Sequence, residues 1–148
     1  MDGQKDCGME KKQIEELIDT AIRQLEFSYT PYSGFKVGAA LLAKDGKVYG
    51  GCNIENAAYG PTNCAERTAF FKAVSEGVTS FTRIAVVGNY PGKKGDYCAP
   101  CGVCRQVMRE FCDPERFQVI LARGPEDYRS FLLKELLPAS FGPADLER

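Results

Sequence analysis

Apolar residues recur every three or four positions near the start of the chain, a spacing that places them on one face of an α-helix. Charged and polar residues fill the positions between them, so the sequence predicts an amphipathic helix over residues from about 10 to 28, with its apolar face in the core. That face consists of Ile14, Leu17, Ile18, Ala21, Ile22 and Leu25. Residues 1–9 precede this helix and are predicted to form a flexible N-terminal tail.

Segments rich in β-forming residues then alternate with further helical segments. Residues 35–43 and 48–53 flank Lys44-Asp45-Gly46-Lys47, which predicts two antiparallel strands joined by a tight turn. The rest of the chain predicts a helix over 64–76 ending near Gly77, a strand over 83–89, a helix over 102–112, a strand over 117–122, a short strand over 128–133 and a helical turn over 134–137. This order indicates a single three-layer α/β/α domain over residues 1–148 with a five-stranded mixed sheet.

Composition and charge restrict the classes of partner. The 148 residues include 19 basic and 20 acidic side chains, a net charge of -1, which gives no electrostatic footprint for nucleic acid. The longest apolar runs are too short to span a membrane. Seven cysteines form an odd count, and the charged N-terminal sequence has no basic-then-apolar leader. These features predict a cytoplasmic protein with reduced thiols.

Two short cysteine motifs carry the most specific chemical signal. Cys64-Ala65-Glu66 and Pro100-Cys101-Gly102-Val103-Cys104 both fall where a helix is predicted to begin, and the chain contains no histidine. A Cys-x-x-Cys motif brings two sulfurs to one ion, and a distant third cysteine can complete three protein ligands on a tetrahedral zinc whose fourth position stays open. We therefore predict one Zn²⁺ per chain, bound by Cys64, Cys101 and Cys104.

A glutamate next to the metal, yet not needed as a ligand, suits proton transfer. Glu66 has this position, and zinc deaminases of nucleobases combine such a glutamate with a Pro-Cys-x-x-Cys segment. Glu66 is therefore the predicted catalytic residue. Because three thiolates leave a zinc site at net charge -1, the sulfurs need donors that withdraw charge. Arg67 is the preferred candidate, and the Arg105-Gln106 pair offers two more.

Each motif also has a simpler interpretation. A lone Cys-x-x-Cys is more often a structural zinc knuckle or a redox pair, and a glutamate near a helix start commonly interacts with the helix dipole. Cys98 extends the second motif to Cys-x-x-Cys-x-x-Cys, and as a fourth ligand it would make the site structural. We interpret Cys98 as a bystander because Pro100 fits the deaminase pattern. Cys7, Cys52 and Cys112 are interpreted as small, partly buried residues.

Several segments, taken in order, resemble the homotetrameric cytidine deaminases of pyrimidine salvage with a three-cysteine zinc site. They are residues 31–40, 51–56, 64–69, 100–106 and 136–143, and the similarity runs from about Leu17 to Leu146. This family hydrolyses cytidine and 2′-deoxycytidine to the uridines with release of ammonia. The resemblance implies the cytidine-deaminase-like fold, with Cys64, Cys101 and Cys104 as zinc ligands and Glu66 as the proton shuttle.

The resemblance also implies a nucleoside site shared between subunits. Its substrate-binding residues would be Phe35, Asn53, Glu55, Tyr59, Ala65 and Phe141. Asn53 and Glu55 would hold the ribose hydroxyls, since side chains two residues apart on an extended segment point the same way. Phe35 would pack against the pyrimidine, Tyr59 would contribute across subunits, and Phe141 would reach a neighbour's site in the tetramer. Without the resemblance, the hydrophobic periodicity would predict that Phe35 and Phe141 are core residues. It would likewise predict that Asn53 and Glu55 are only the polar end of a strand.

Three other functions remain open at this point. A deaminase of bases in RNA or DNA would share the zinc motif but needs basic or aromatic surface to hold a strand. A deaminase of an aminopyrimidine antibiotic would have similar motifs, and a structural zinc module would bind a partner without catalysis. The balanced charge and the Asn53/Glu55 pair favour a free nucleoside as substrate.

Overall fold

Five strands form one mixed sheet at the centre of the molecule. The computed structural model describes the backbone of residues 2–146 and the side chains of residues 8–146. The strands are β1 (Lys36–Ala43), β2 (Val48–Cys52), β3 (Phe81–Asn89), β4 (Gln118–Gly124) and β5 (Asp127–Leu132). Their order in the sheet is β2-β1-β3-β4-β5, and β3 and β4 are parallel whereas the other neighbours are antiparallel. The predicted five-stranded mixed sheet and its opening hairpin are confirmed.

Helices cover both faces of this sheet. They are α1 (Asp2–Gln24), α2 (Ala65–Ser75), α3 (Gly102–Phe111) and the short α4 (Leu133–Leu136), with 3₁₀ turns at Leu25–Phe27 and Pro143–Asp145. Alternate residues of β1 point to opposite faces. Ala40 and Leu42 pack in the cluster that holds the apolar face of α1, while Ala39 and Leu41 pack in the cluster that includes α2 and α3. The predicted three layers are therefore present.

The first helix differs from its prediction at both ends. The backbone is helical from Asp2, eight residues before the predicted start, because apolar periodicity marks only the part of a helix that packs against the core. After Gln24 the chain tightens into a 3₁₀ turn over Leu25–Phe27, so the predicted end near residue 28 includes this turn. The predicted flexibility of residues 1–9 concerns motion and stays a prediction. In the part of the chain that the structure describes, no helix is long and apolar enough to cross a membrane.

The remaining boundaries differ by one or two residues. β3 begins at Phe81 rather than Arg83, since a register shift after Leu42 lets Ala43 pair with Phe81. Gly77, predicted to stop the second helix, has a φ of 88° just after α2 ends. This left-handed conformation is available to glycine at little cost.

Close packing of α2 against β2 depends on Gly51. A β-carbon at this position would lie 2.6 Å from the backbone nitrogen of Ala69 and still closer to the carbonyl oxygen of Ala65. Backbone atoms of a helix cannot move aside as a flexible side chain can. The missing side chain therefore lets the first turn of α2 approach the end of β2, after which Asn53 and Glu55 follow.

Candidate active site

Three cysteines from two helix starts meet at one point. Cys64 is the N-cap of α2, Cys101 is the N-cap of α3, and Cys104 lies in the first turn of α3. Their sulfur atoms all lie within 4.8 Å of one another. The distance from Cys101 Sγ is 3.8 Å to Cys64 Sγ and 3.6 Å to Cys104 Sγ. Sulfurs on a tetrahedral zinc with bonds of about 2.3 Å are roughly 3.8 Å apart, so the cluster fits one zinc ion.

The surroundings of this cluster favour a thiolate at Cys64. Unpaired N–H groups and the positive end of the dipole at each helix N-terminus stabilise negative charge. Hydrogen bonding with Cys104, and then with Arg67 and Cys101, lowers the pKa of Cys64 to about 5. The Arg67 guanidinium donates from Nη2 to Cys64 Sγ at 3.2 Å. Thiolate is the form that binds a metal.

Arg105 and Gln106, the other candidate sulfur donors, bind backbone oxygens instead. Arg105 donates from Nε to the Pro100 carbonyl at 2.7 Å and from Nη1 to the Leu136 carbonyl at 2.6 Å. Gln106 Nε2 donates to the Phe141 carbonyl at 2.9 Å. The return of the C-terminal segment alongside α3 supplies these acceptors, which the sequence did not reveal. Gln106 thus connects α3 to residue 141, and its expected role at the sulfurs stays a prediction.

Glu66 is a buried acid beside the cluster. It lies in the first turn of α2 and is only 3% exposed. Burial raises the pKa of its carboxyl to about 7, and the negative charge of Cys64 adds to this effect. A carboxyl whose pKa lies near neutrality can both accept and release a proton there, as a general acid–base group must.

One cavity of about 170 Å³ joins these groups to the expected sugar-binding residues. Its wall is formed by Val37, Asn53, Glu55, Thr62, Asn63, Cys64, Ala65, Glu66, Cys98, Ala99 and Cys101. Four distant segments of the sequence thus meet around a single space. Sequence reasoning did not single out Val37, Thr62, Asn63 or Ala99. The sequence marks these residues only by their position. Val37 lies in residues 31–40, the first segment that resembles the family, and the other three lie just before the cysteine motifs.

Asn53 is held in one orientation. Its Oδ1 accepts from the backbone N–H of Val37 at 2.9 Å and also from the Ser28 hydroxyl. Its Nδ2 donates to the Phe35 carbonyl at 2.9 Å. These bonds fix the carbonyl side of the amide in the wall and use one of its two N–H groups. The amide can therefore offer a ligand a donor rather than an acceptor.

Glu55 offers the opposite polarity. Its Oε1 accepts from the backbone N–H groups of Tyr32 at 3.0 Å and Ser33 at 3.1 Å, and its Oε2 accepts from the Ser33 hydroxyl at 2.6 Å. The hydrogen bond from the Ser33 side chain is the main reason that the pKa of Glu55 lies below its ordinary value. Glu55 is thus an ionised acceptor at neutral pH.

The three expected aromatic residues lie outside the cavity wall. The Phe35 ring lies close to one wall residue, since a β-carbon at Gly88 would lie 3.0 Å from Phe35 Cζ and 2.8 Å from Sγ of Cys98. Tyr59 is 73% exposed and Phe141 is 58% exposed. Tyr59 also has a φ of 59°, a left-handed conformation that is uncommon for non-glycine residues. Within one chain, then, Tyr59 and Phe141 do not contribute to the wall.

Cys98 belongs to the wall but not to the sulfur cluster. The group of three potential ligands found among the described residues is Cys64, Cys101 and Cys104. Burial raises the pKa of Cys98 to about 11, and the charges of Glu66 and Cys64 raise it as well. The Cys98 sulfur is not among the three sulfurs that lie within 4.8 Å of one another, which favours the interpretation of Cys98 as a bystander.

Comparison with known proteins agrees with this geometry. Residues 11–120 match the family model for the cytidine and deoxycytidylate deaminase zinc-binding region. A cytidine deaminase of Sporosarcina psychrophila is 51% identical over 133 residues, which cover 90% of this chain and 94% of that protein. One of Halalkalibacterium halodurans is 51% identical over 130 residues, covering 88% and 95%. The crystal structure of a cytidine deaminase from Burkholderia pseudomallei superposes with a TM-score of 0.76 at 49% identity, covering 85% of this chain and 97% of that one.

Proposed function

The chain belongs to the cytidine and deoxycytidylate deaminase family, and from this premise we propose that it hydrolyses cytidine and 2′-deoxycytidine to uridine and 2′-deoxyuridine with release of ammonia. The observation that carries the proposal is a cavity whose wall combines Glu66 and two of the three cluster cysteines with Asn53 and Glu55. The reaction would serve pyrimidine salvage, in the cytoplasm.

Cys64, Cys101 and Cys104 would hold the zinc ion. When bound at an open tetrahedral site, zinc lowers the pKa of its water and supplies a nucleophile at neutral pH. Arg67 donates to the Cys64 sulfur and so offsets part of the negative charge of the three thiolates.

Glu66 would move the protons of the reaction. Water adds to the ring carbon that bears the exocyclic amine, the carbon–nitrogen bond breaks, and ammonia leaves. The Glu66 carboxylate takes a proton from the water and passes it to the ring nitrogen; it then takes the proton of the new hydroxyl group on the ring carbon and delivers it to the departing amine, so that a carbonyl forms as ammonia leaves. Its burial and its pKa of about 7 support this exchange, because neither protonation state is strongly favoured near neutral pH.

Asn53 and Glu55 would bind the sugar. A hydroxyl accepts one hydrogen bond and donates another, and it thus matches the free N–H of Asn53 together with the ionised Glu55 carboxylate. Ala65 lines the same cavity. Phe35 would pack against the pyrimidine, which the position of its ring beside Gly88, near Cys98 of the wall, supports.

We further propose a homotetramer whose active sites are shared. The exposure of Tyr59 and Phe141 in a single chain supports this arrangement, because large aromatic side chains are enriched where proteins associate. In the tetramer both residues would reach the site of a neighbouring subunit.

The test is turnover of cytidine by zinc-loaded protein, followed by ultraviolet absorbance with zinc content measured in the same sample. The parent should form uridine, while Glu66→Gln should keep its zinc and lose several orders of magnitude in turnover. Glu76→Gln changes an exposed glutamate just past the other end of the same helix and serves as the matched control. Absence of uridine from a parent with one zinc per chain would refute the proposed activity, and near-normal turnover by Glu66→Gln would refute the role of Glu66.

A further inference from the structure

We propose that Ser33 is a positioning residue that sets the Glu55 carboxylate for a single sugar hydroxyl. This inference rests on the proposed function, since it assumes that Glu55 binds the sugar. Ser33 lies in the loop before β1, 22 residues from Glu55 along the chain, and its hydroxyl donates to Glu55 Oε2 at 2.6 Å. A charge-assisted hydrogen bond of this length is among the stronger contacts of a side chain.

The acceptor sites of Glu55 are almost fully used. A carboxylate has about four lone-pair sites, two on each oxygen. The backbone N–H groups of Tyr32 and Ser33 take both sites on Oε1, and the Ser33 hydroxyl takes one on Oε2. The site that remains is on Oε2, the oxygen that Ser33 holds. A ligand hydroxyl would therefore bind beside the Ser33 hydrogen, on the same atom.

The direction of the Ser33 hydroxyl is itself fixed. Ser33 Oγ accepts from the backbone N–H of Phe35 at 3.0 Å while it donates to Glu55. Its hydrogen is thus kept toward the carboxylate. One hydroxyl thus connects the backbone of Phe35, which is expected to pack against the pyrimidine base, to the carboxylate of Glu55, which is expected to bind the ribose. Ser33 would thereby keep the two parts of the nucleoside site at a constant separation.

Three backbone N–H groups of the loop are bound without the Ser33 hydroxyl. The N–H of Gly34 donates to the Thr30 carbonyl at 3.0 Å, and the N–H groups of Tyr32 and Ser33 still bind Oε1 when the side chain is shortened. Ser33→Ala therefore removes the bond to Oε2 and the acceptor of the Phe35 N–H, while the other three bonds still hold the turn. A role limited to loop stability would affect every ligand equally, whereas a positioning role would affect only ligands that carry the hydroxyl bound by Glu55.

The experiment compares three ligands by calorimetry on zinc-loaded protein in the Glu66→Gln background, in which cytidine binds without turnover. The ligands are cytidine, 2′-deoxycytidine and 3′-deoxycytidine. Adding Ser33→Ala should weaken cytidine binding by roughly tenfold, the effect of one bond to a charged group. Ser33→Thr, which keeps the hydroxyl, should restore most of the affinity. Ser75→Ala removes an exposed serine hydroxyl at the end of α2 and should leave all three dissociation constants unchanged.

The decisive result is a difference between the ligands. The loss caused by Ser33→Ala should persist for one deoxynucleoside and disappear for the other, which identifies the hydroxyl that Glu55 binds. An equal loss for all three ligands, or no loss for any, would overturn the positioning role while leaving the proposed function intact. Failure of cytidine to bind with Ser33 in place would overturn both. If thermal unfolding shows that Ser33→Ala does not fold, Ser33→Cys supplies the same comparison, since it keeps the volume but has only a weak donor.

Discussion

Arg67 donates a hydrogen bond from Nη2 to the sulfur of Cys64 across 3.2 Å, within the first turn of the same helix. Three thiolates on a doubly charged zinc ion give a site of net charge -1, and such an electron-rich metal activates water poorly. A guanidinium stays charged at any physiological pH, so this contact withdraws charge from one ligand permanently. In the proposed enzyme, Arg67 would thus affect the chemistry of the metal without binding to it.

Replacing Arg67 with Gln should lower kcat/KM for cytidine by about 10- to 100-fold, the usual effect of losing a partner of a metal ligand. The zinc should bind more weakly because a compensating charge is gone. Steady-state kinetics and titration with a competing chelator measure the two effects. Arg116→Gln changes an exposed arginine and should alter neither. Unchanged kinetics in Arg67→Gln would show that the contact has no role in catalysis.

Zinc content should distinguish Cys98 from the three cluster cysteines. Cys104→Ala removes one of three sulfurs that lie within 4.8 Å of each other, so purified protein should contain far less than one zinc per chain. Cys98→Ala should keep one zinc per chain, because the Cys98 sulfur lies outside this group of three. Metal analysis of the two variants provides the measurement. Loss of zinc from Cys98→Ala would instead indicate a closed site with four cysteine ligands.

Removing the zinc should destabilise the fold as well as stop turnover. A ligand that binds only the folded protein adds to its stability, and this ion connects the starts of α2 and α3. Chelation should therefore lower the midpoint of thermal unfolding, and added zinc should restore both the midpoint and the activity. The matched control is Cys104→Ala, whose midpoint should not respond to the chelator. An unchanged midpoint in the parent would mean that the metal contributes nothing to stability.

The parts of the site that were predictable are local in sequence. Cys101 and Cys104 are separated by one helical turn, so recognising the start of α3 was enough to bring their sulfurs together. Cys64 and Glu66 follow in the same way from the start of α2. The five strands and the stop at Gly77 were likewise predictable, because each depends on nearby residues.

The contacts that escaped prediction depend on the path of the chain in space. The acceptors of Arg105 and Gln106 lie 31 and 35 residues away, and no pattern around α3 indicates that residues 136 and 141 return to it. The donors to Glu55 escaped prediction for the same reason, because they lie on the loop before β1, far from Glu55 in the sequence. The spacing of apolar residues also failed to predict where α1 begins, because the helical backbone extends beyond the apolar face toward the N-terminus.

Gly51→Ala should destabilise the protein by at least about 2 kcal/mol, within the range found for overpacked cores. The added methyl group would lie 2.6 Å from the backbone nitrogen of Ala69, and relief requires α2 to move away from β2. Chemical denaturation measures the loss. Gly124→Ala adds a methyl group where nothing lies within 4 Å and should change stability by less than about 0.5 kcal/mol. Equal stability of the two variants would contradict the close approach of helix and strand.

Mixing two inactive variants should reveal whether active sites are shared between chains. Phe141 is 58% exposed and lies outside the cavity wall of its own chain, so in the proposed tetramer Phe141→Ala should impair a neighbour's site, whereas Glu66→Gln inactivates its own. Co-expressed at equal levels, the two variants should regain about a quarter of the parent activity, because random assembly pairs an intact Glu66 with an intact neighbouring Phe141 at that frequency. Asn53→Ala co-expressed with Glu66→Gln should regain nothing, since Asn53 and Glu66 line the same cavity of one chain. Activity no greater than that of the separate variants would show that Phe141 acts within its own chain or not at all.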